Sequence, residues 1–470
     1  MGNRNHGIAA SCDSAVRDPL LVIFLIACVV TVLLLRYLLK GGRGQTHTGL
    51  TLTYLLTGFW MNYWFPVAAY LVPGYCGVFP EYMVPGARET LYAFLGFAAG
   101  VFFLPKLFGV LPSPAKGSAP AVPANLRYGL LVLGVLFAIA LRFTANVKGV
   151  QAVLSSGQQL LVVAVVLSIW EAARKKRSKG VGFWLALSLA FPFITVVHDG
   201  FLLAGILSLA PVAVFATACI RRRNYFKLAI IGAAGCYLGL SLFVNYMRDR
   251  VEIRASVWGG DRFSGRVQRF AQIFDHFEWF SPANPKHLDP IAARMNAAWL
   301  VGAGVTYMEN TKQWARGETL KYAAVAFVPR LLWRNKPAAG GNDIATRYTG
   351  LQFSEGTSVG IGQVMELYVN YGSWLVLFGF ALFGGLAAYL DIAARKGLQT
   401  GNFNRFTTCY VIGLALINEG SLIALTVSSA LMGLLLTNGL QMVLHMKSKR
   451  APAISRTRVL RPYAQPTVPR

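Results

Sequence analysis

Charge is scarce in this chain, and acid is scarcer still. Of its 470 residues 14% are charged and only 19 are Asp or Glu, where a soluble domain carries about a quarter charged residues. That deficit excludes a single water-facing globule of this length. Cysteine is equally thin: six residues, at 12, 28, 76, 219, 236 and 409, with no CxxC pair and most of them inside apolar runs. Neither a zinc site nor a disulfide framework is suggested, although Cys12 and Cys76 could share one face of a membrane. HExxH, P-loop and GxSxG motifs are missing. The first long turn, PGYCGVFPEYMVPGARE, offers only Glu81 and Glu89 and no DxD-like set of hard oxygen ligands, so no metal and no cofactor are expected. No internal repeat is present.

What fills the space is apolar sequence. The chain is 55% hydrophobic with a mean hydropathy of +0.49, and runs of about 20 apolar residues, the length that crosses a bilayer, recur along it. They fall at 19–39, 47–72, 89–110, 127–146, 150–173, 181–197, 201–220, 226–246 and 365–390. The stretch 406–446 is too long for one helix, and its polar break Asn418-Glu419-Gly420-Ser421 divides it into a hairpin. The expectation is an all-α, polytopic membrane protein of about 11 (10–12) transmembrane helices, since in lipid only internally bonded backbone is tolerated. The run Leu20–Leu39 is expected to stay as a span: it is too long for a signal-peptide core and ends in Arg and Lys rather than at a small-residue cleavage site.

The net charge of +26 is not a nucleic-acid footprint, because the cations stand beside the ends of apolar runs: Arg36/Lys40/Arg43, RKKRSK at 174–179, RRR at 221–223, Arg395/Lys396 and KSKR at 447–450. That is the pattern of cytoplasmic loops, and no compact soluble domain exists to present a basic patch. With RKKRSK and RRR both cytoplasmic, 181–220 becomes a hairpin with His198-Asp199-Gly200 at its outer tip. The chain then divides into a short segment 1–18, spans 19–246, a large external loop 247–364, spans 365–446 and a basic cytoplasmic tail 447–470, which has seven cations and no acid and suits anionic lipid. The large loop holds ten of the chain's 19 acidic residues. Within it Arg294–Val305 and Gly317–Trp333 have helical apolar spacing and are expected in the membrane interface.

The last turn before that loop reads NYMRDRVEIRAS. Arg248, Arg250 and Arg254 leave the membrane there, and guanidinium forks match phosphate oxygens two at a time. The plainer role is headgroup snorkelling, or pairing with Asp249 and Glu252. Further on, VPRLLWRNKPAAGGND sets Arg330, Arg334 and Lys336 around Trp333 between two prolines. Pro329 ends a helix, the residue before Pro337 is held extended, and an indole is favoured at the interface. This elbow suits an anionic lipid carrying a sugar, or serves as an interfacial anchor.

The run Pro329-Arg330-Leu331-Leu332-Trp333-Arg334-Asn335-Lys336-Pro337, followed by Gly341-Asn342 and Arg347-Tyr348, resembles the "PRxLWPxKP…GN" signature of Wzy-type polymerases, which join the repeat units of O-antigen and exopolysaccharide in bacterial envelopes. It departs from that signature in having Arg334 where proline is common. Thr357-Ser358 and Met365-Glu366-Leu367-Tyr368-Val369-Asn370-Tyr371-Gly372 resemble the family's start of the helix after the large loop. His198-Asp199-Gly200 stands where relatives often have a Gly-x-Arg-Gly turn, without the arginine. The motif match covers about 50 residues, and the topology agrees over most of the chain.

The resemblance implies metal-independent glycosyl transfer on the outer face of the bacterial cytoplasmic (inner) membrane, with undecaprenyl-pyrophosphate-linked oligosaccharide as donor and acceptor. It also implies a chain-length regulator and a flippase as possible partners. Stabilising the leaving diphosphate would fall to Arg248, Arg250, Arg254 and Arg330, with Arg294 and Arg347 behind them. Trp333, Lys336, Asn342, Tyr348 and Asn370 complete the expected binding set. A base for the acceptor hydroxyl is sought among Glu366, His287, His198 and Asp199. For Glu366 the plainer role is an ion pair with a loop arginine, and for His287, in PKHLDP, a structural one. A ligase that moves a finished glycan uses the same chemistry. A lipid-linked oligosaccharide flippase or transporter would need charges along a midplane cavity and repeated spans.

Overall fold

The structure, a computed structural model, describes residues 14–39, 47–109, 120–143, 150–219, 225–325, 342–353, 359–417 and 420–450. Within them the chain is helical throughout, without a strand. The helices are α1 (Ser14–Leu39), α2 (Leu50–Tyr54) continuing through a π-helical stretch (Leu55–Trp64) into α3 (Phe65–Tyr70), α4 (Met83–Leu107), α5 (Ala124–Phe143) and α6 (Val150–Arg174). Next come α7 (Ser178–Ser188), α8 (Ala190–Asp199), α9 (Leu203–Ala218), α10 (Tyr225–Trp258), α11 (Phe263–Gln272), α12 (Pro285–Pro290) with a π turn (Ile291–Met295), and α13 (Ala298–Thr311). The chain ends with α14 (Glu318–Ala324), α15 (Asn342–Thr349), α16 (Gly362–Thr400), α17 (Phe403–Leu416) and α18 (Ile423–Arg450). Among the described residues eight helices are long and apolar enough to cross a membrane. This is the all-helical, polytopic pattern that the apolar runs imply.

Helix α4 is the keystone. A Cβ built on Gly100 would stand 1.9 Å from the Ala381 carbonyl of α16, and one on Gly86 1.8 Å from the Ala298 carbonyl of α13. Only glycine permits these backbone approaches, and in lipid such close van der Waals contact replaces the hydrophobic drive that water supplies. Around this crossing Tyr54, Phe59, Phe94, Phe97 and Phe380 form one aromatic core, with Phe59 and Phe94 at 4.8 Å between ring centroids. A second core joins α5, α6, α9 and α17 to the far half of α16.

The region 247–364 is not a surface loop laid on this bundle. Helix α10 carries on unbroken to Trp258, and α13 is buried along Leu300–Val305 against α4. The Asn296 side chain accepts the Ala298 N–H at 2.9 Å and so caps the first turn of α13, while the Ala297 N–H donates to the Asn62 carbonyl within the π-helical stretch. The expected interfacial helix at 294–305 is therefore an internal one, because glycines and alanines on its inner face let it sit on α4. The region expected at Gly317–Trp333 begins as α14 and then passes out of the described residues after 325. Cys76 is disulfide-bonded, with its partner outside the described residues, whereas Cys28, Cys219, Cys236 and Cys409 are free. Loop spacing alone had not called for that bridge.

Two fully buried carboxylates on α16 anchor other helices. Asp391 accepts from the Thr48 N–H and hydroxyl, the Gly49 N–H and the Thr51 N–H, and so closes the start of α2, where helical N–H groups lack partners. Replacing Asp391 by leucine leaves these donors buried and unmet. A loss on the order of 3–5 kcal/mol is expected, read as a lower thermal unfolding midpoint and reduced membrane abundance. An unchanged midpoint would show that the cap carries no weight. Glu366 performs the same service for α18, from the segment of α16 that precedes a break in the helix at Tyr371 and Gly372.

Candidate functional site

The arginines of NYMRDRVEIRAS do not act as a set. In a helix residues two apart point about 200° apart, and residues four apart share a face. Arg248 accordingly turns away: Nε and Nη2 donate to Asp249 at 2.9 and 3.0 Å, and Nη1 donates to the His276 carbonyl at 2.7 Å and to Glu278 at 3.4 Å. Arg250 and Arg254 share the opposite face. The charges acting on Arg250 are Arg254 and Arg294, with the Tyr246 phenol beside it. Arg294 arrives on the π turn after α12. Arg254 is aimed by its stem: Nε donates to the Gly200 carbonyl at 3.2 Å, and the guanidinium lies over Phe201 and Trp258 at 4.5 and 5.3 Å from the ring centroids. Among the described residues none of the three has a carboxylate partner. Three cations gathered without a counter-ion make an anion seat.

His198 and Asp199 sit at the end of α8, with Nδ1 2.7 Å from Oδ1, on the exposed side of the Gly200 turn. His287 is buried and spoken for. Its Nδ1 accepts the Ser281 N–H at 3.0 Å, so Nε2 carries the proton and donates to Glu278 at 2.8 Å. An imidazole with both nitrogens engaged is a bracket for the turn, not a free base, and it holds the Glu278 carboxylate below the usual range.

Glu366 is a different case. It is fully buried, and Oε2 accepts the Ile423 N–H at 2.6 Å at the start of α18. Among the described residues no arginine pairs with it; Arg330 and Arg334 of the loop lie outside them. Oε1 makes no hydrogen bond, with the Thr319 hydroxyl close by. Glu366 is also among the charges acting on Tyr348, whose phenol is buried, has no hydrogen-bond partner and is pushed up chiefly by burial. A buried carboxylate oxygen and a buried phenol that both lack a hydrogen-bond partner mark this region as a candidate site. Asn370 supports it from one turn on: Nδ2 donates to Thr319 Oγ1 at 2.7 Å and to the Glu366 carbonyl at 2.6 Å, and Oδ1 accepts the Gly317 N–H at 2.8 Å.

Asn342 opens α15, and Arg347 forms a two-pronged pair with Glu318, 2.9 Å on each prong. That pair fastens α15, and with it Tyr348, to α14. The Arg347 hydrogen bonds hold the Glu318 carboxyl below its ordinary value. A carboxyl depressed in the folded state stabilises above its unfolded value and loses that contribution as pH falls through the folded one. Hydrogen exchange over 342–349, corrected for intrinsic rate, is therefore expected to be slow at neutral pH and to quicken as the pH falls through and below the usual carboxylate range. Arg347→Gln is expected to be fast at both. Equal protection of the two proteins at neutral pH would remove the fastening role.

Arg330, Trp333 and Lys336 lie outside the described residues, as do Arg334 and Glu419. One cluster had no reading beforehand. Glu89 of α4 is fully buried; Oε1 accepts from Ser373 at 3.0 Å and Arg88 at 3.2 Å, and Oε2 has no hydrogen-bond partner. Arg88 also reaches Glu309 of α13 at 3.4 Å, which Tyr368 meets at 3.4 Å. The adjacent Arg88-Glu89 at the head of an apolar run was the one signal available. No hydrogen bond, ion pair or ring contact joins Glu366 to the arginine group among the described residues. Comparisons with protein-family models, with curated proteins and with solved structures gave no match.

Proposed function

We propose that the chain is a repeat-unit polymerase that joins undecaprenyl-pyrophosphate-linked oligosaccharides on the outer face of a bacterial cytoplasmic membrane. The observation that supports this reading is the gathering of Arg250, Arg254 and Arg294 with no carboxylate partner among the described residues, by the helix end whose guanidinium forks suit a lipid pyrophosphate. A hydroxyl of the acceptor repeat unit attacks the anomeric carbon of the donor glycan. The bond from that carbon to the pyrophosphate oxygen breaks, its electron pair leaves with the lipid diphosphate, and the arginines bear the charge that develops there. The hydroxyl proton passes to Glu366, a carboxylate with an oxygen that no hydrogen bond occupies.

Eleven crossings fit it, adding 50–70, Leu203–Ala218 and Phe403–Leu416 to the eight longer helices. The disulfide at Cys76 supports an oxidising compartment for its end of the bundle, since such bridges persist outside the cytosol. Tyr75, next to it, donates to Asp289 at 3.0 Å, so region 247–364 lies on the same side. The C-terminal tail is then cytoplasmic.

The test is a length-resolved profile of lipid-linked glycan in cells lacking the protein. Single lipid-linked repeat units at the outer face, with long chains gone, are expected. Accumulation of long lipid-linked chains would instead identify a ligase, and units trapped at the inner face a flippase; either result overturns the polymerase.

A further inference from the structure

The link between α13 and α14 is built against the preferences of its own residues. In Lys312–Gly317 three backbones take the left-handed conformation: Lys312 at φ 57°, Arg316 at φ 47° and Gly317 at φ 88°. Side chains other than glycine rarely adopt it, so two cations are held where local energetics would not leave them. The turn is pinned from below. The Ala315 N–H donates to the Val369 carbonyl at 2.9 Å and the Gly317 N–H to Asn370 Oδ1 at 2.8 Å. Facing it, α16 breaks its helix at Tyr371 (φ −146°, ψ 22°) and Gly372 (φ 72°, ψ −164°), which throws the Tyr371 ring out to 58% exposure. A Cβ on Gly372 would reach the Trp314 ring at 3.9 Å, and one on Gly317 the Tyr371 hydroxyl at 3.0 Å. The two irregular segments therefore enclose a cleft of about 510 Å³, lined by Trp314, Arg316, Asn370 and Tyr371.

We propose that this cleft is a subsite for a pyranose ring bearing a carboxylate, an acidic unit of the glycan. Two aromatic side chains offer faces to the C–H side of a sugar ring, which a hydrophobic lining of aliphatic residues would not do. Arg316 is exposed and has no carboxylate partner among the described residues, and no acid lines the cleft, so its fork is free for a carboxylate held in two-pronged geometry. Asn370 does not meet the ligand. Its amide is spent on Gly317, Thr319 and the Glu366 carbonyl, which makes it a positioning residue that couples the cleft to Glu366 on the same helix. The volume suits one or two sugar rings. This inference rests on the polymerase reading for its role, as the place where the acceptor repeat unit is held, but not for the binding itself.

The experiment uses the full chain in lipid nanodiscs, with binding measured by calorimetry and saturation-transfer NMR. The probes are a glucuronate-containing disaccharide, its neutral counterpart and inorganic pyrophosphate. The acidic disaccharide is expected to bind at least tenfold more tightly than the neutral one. Arg316→Gln should remove that margin and leave neutral binding unchanged, while Tyr371→Leu, an exposed change that the fold tolerates, should weaken both sugars. Equal affinity for the acidic probe in wild type and Arg316→Gln overturns the proposal, and so does pyrophosphate displacing it with equal strength. Glycan profiles keep the two ideas apart. If binding behaves as expected while deletion leaves chain lengths unchanged, the subsite stands and the polymerase falls; if deletion stops chain growth while Arg316→Gln binds normally, the reverse holds.

Discussion

Replacing Arg250 by alanine should stop chain growth, a fall of at least 100-fold with membrane abundance unchanged. One preorganised donor aimed at developing charge is commonly worth 10²–10³ in rate, about 2.7–4 kcal/mol, and Arg250 stands at the centre of a seat it shares with Arg254 and Arg294. It makes no carboxylate ion pair within the described chain, so its removal relieves crowding of like charge instead of breaking a fold contact. Arg248 provides the control. Its donors are committed to Asp249, Glu278 and the His276 carbonyl, so Arg248→Ala is expected to lower thermal stability and to retain most chain growth. The measurement is the length distribution of surface glycan in complemented deletion cells. If the Arg250 variant polymerises normally, or if Arg248 proves the more damaging of the two, the anion seat has been put in the wrong place.

The second large effect is expected at Glu366, where two roles can be separated by choice of substitution. Glutamine keeps an oxygen to accept the Ile423 N–H and so keeps the cap on α18. It cannot take a proton from an acceptor hydroxyl. Glu366→Gln should therefore leave the thermal midpoint unchanged and lower chain growth by about 10²–10⁴, the usual worth of a positioned base. Alanine removes both functions: the same loss of growth is expected, with a further loss of about 1–3 kcal/mol of stability from the unmet donor. Normal chain growth in the glutamine variant would reduce Glu366 to a helix cap, the role that Asp391 already fills at the opposite end of α16. The contrast between these two acids is the ground for the assignment. Asp391 has its oxygens taken up by four donors, whereas Glu366 keeps one oxygen without a hydrogen-bond partner.

Much of this was legible from residue order alone. Every apolar run proposed as a span coincides with a helix or helix pair, because a membrane segment must satisfy its own backbone and leaves the run length as its signature. The choice of Arg250, Arg254, Arg294, Glu366, Tyr348 and Asn370 as site residues rested on charge at the ends of those runs and on a motif resemblance. His287 stood among the candidate bases with a structural role as the plainer reading, and its two hydrogen bonds make it a bracket. Glu89 was read only as an acid too isolated to hold a metal, since a single acid at a membrane edge has nothing in its neighbours to show that Glu309 and Ser373 will meet it and Arg88. The internal position of α13 was hidden for a related reason. Apolar spacing tells a helix which face to bury, but not whether lipid or another helix will cover it.

The sequence by itself determined an all-helical membrane chain, the rough places of its spans and the side chains able to carry charge, because each of these follows from local composition. The tertiary structure decided which charges are spent and which are left over. Arg248 and Arg250 are chemically alike and two residues apart, and a turn of 200° sends one to a carboxylate and the other to its fellow arginines. Pairing depends on what distant chain lies across the gap: the turn after α11 brings the His276 carbonyl and Glu278 to Arg248, and the end of α8 brings the Gly200 carbonyl to Arg254.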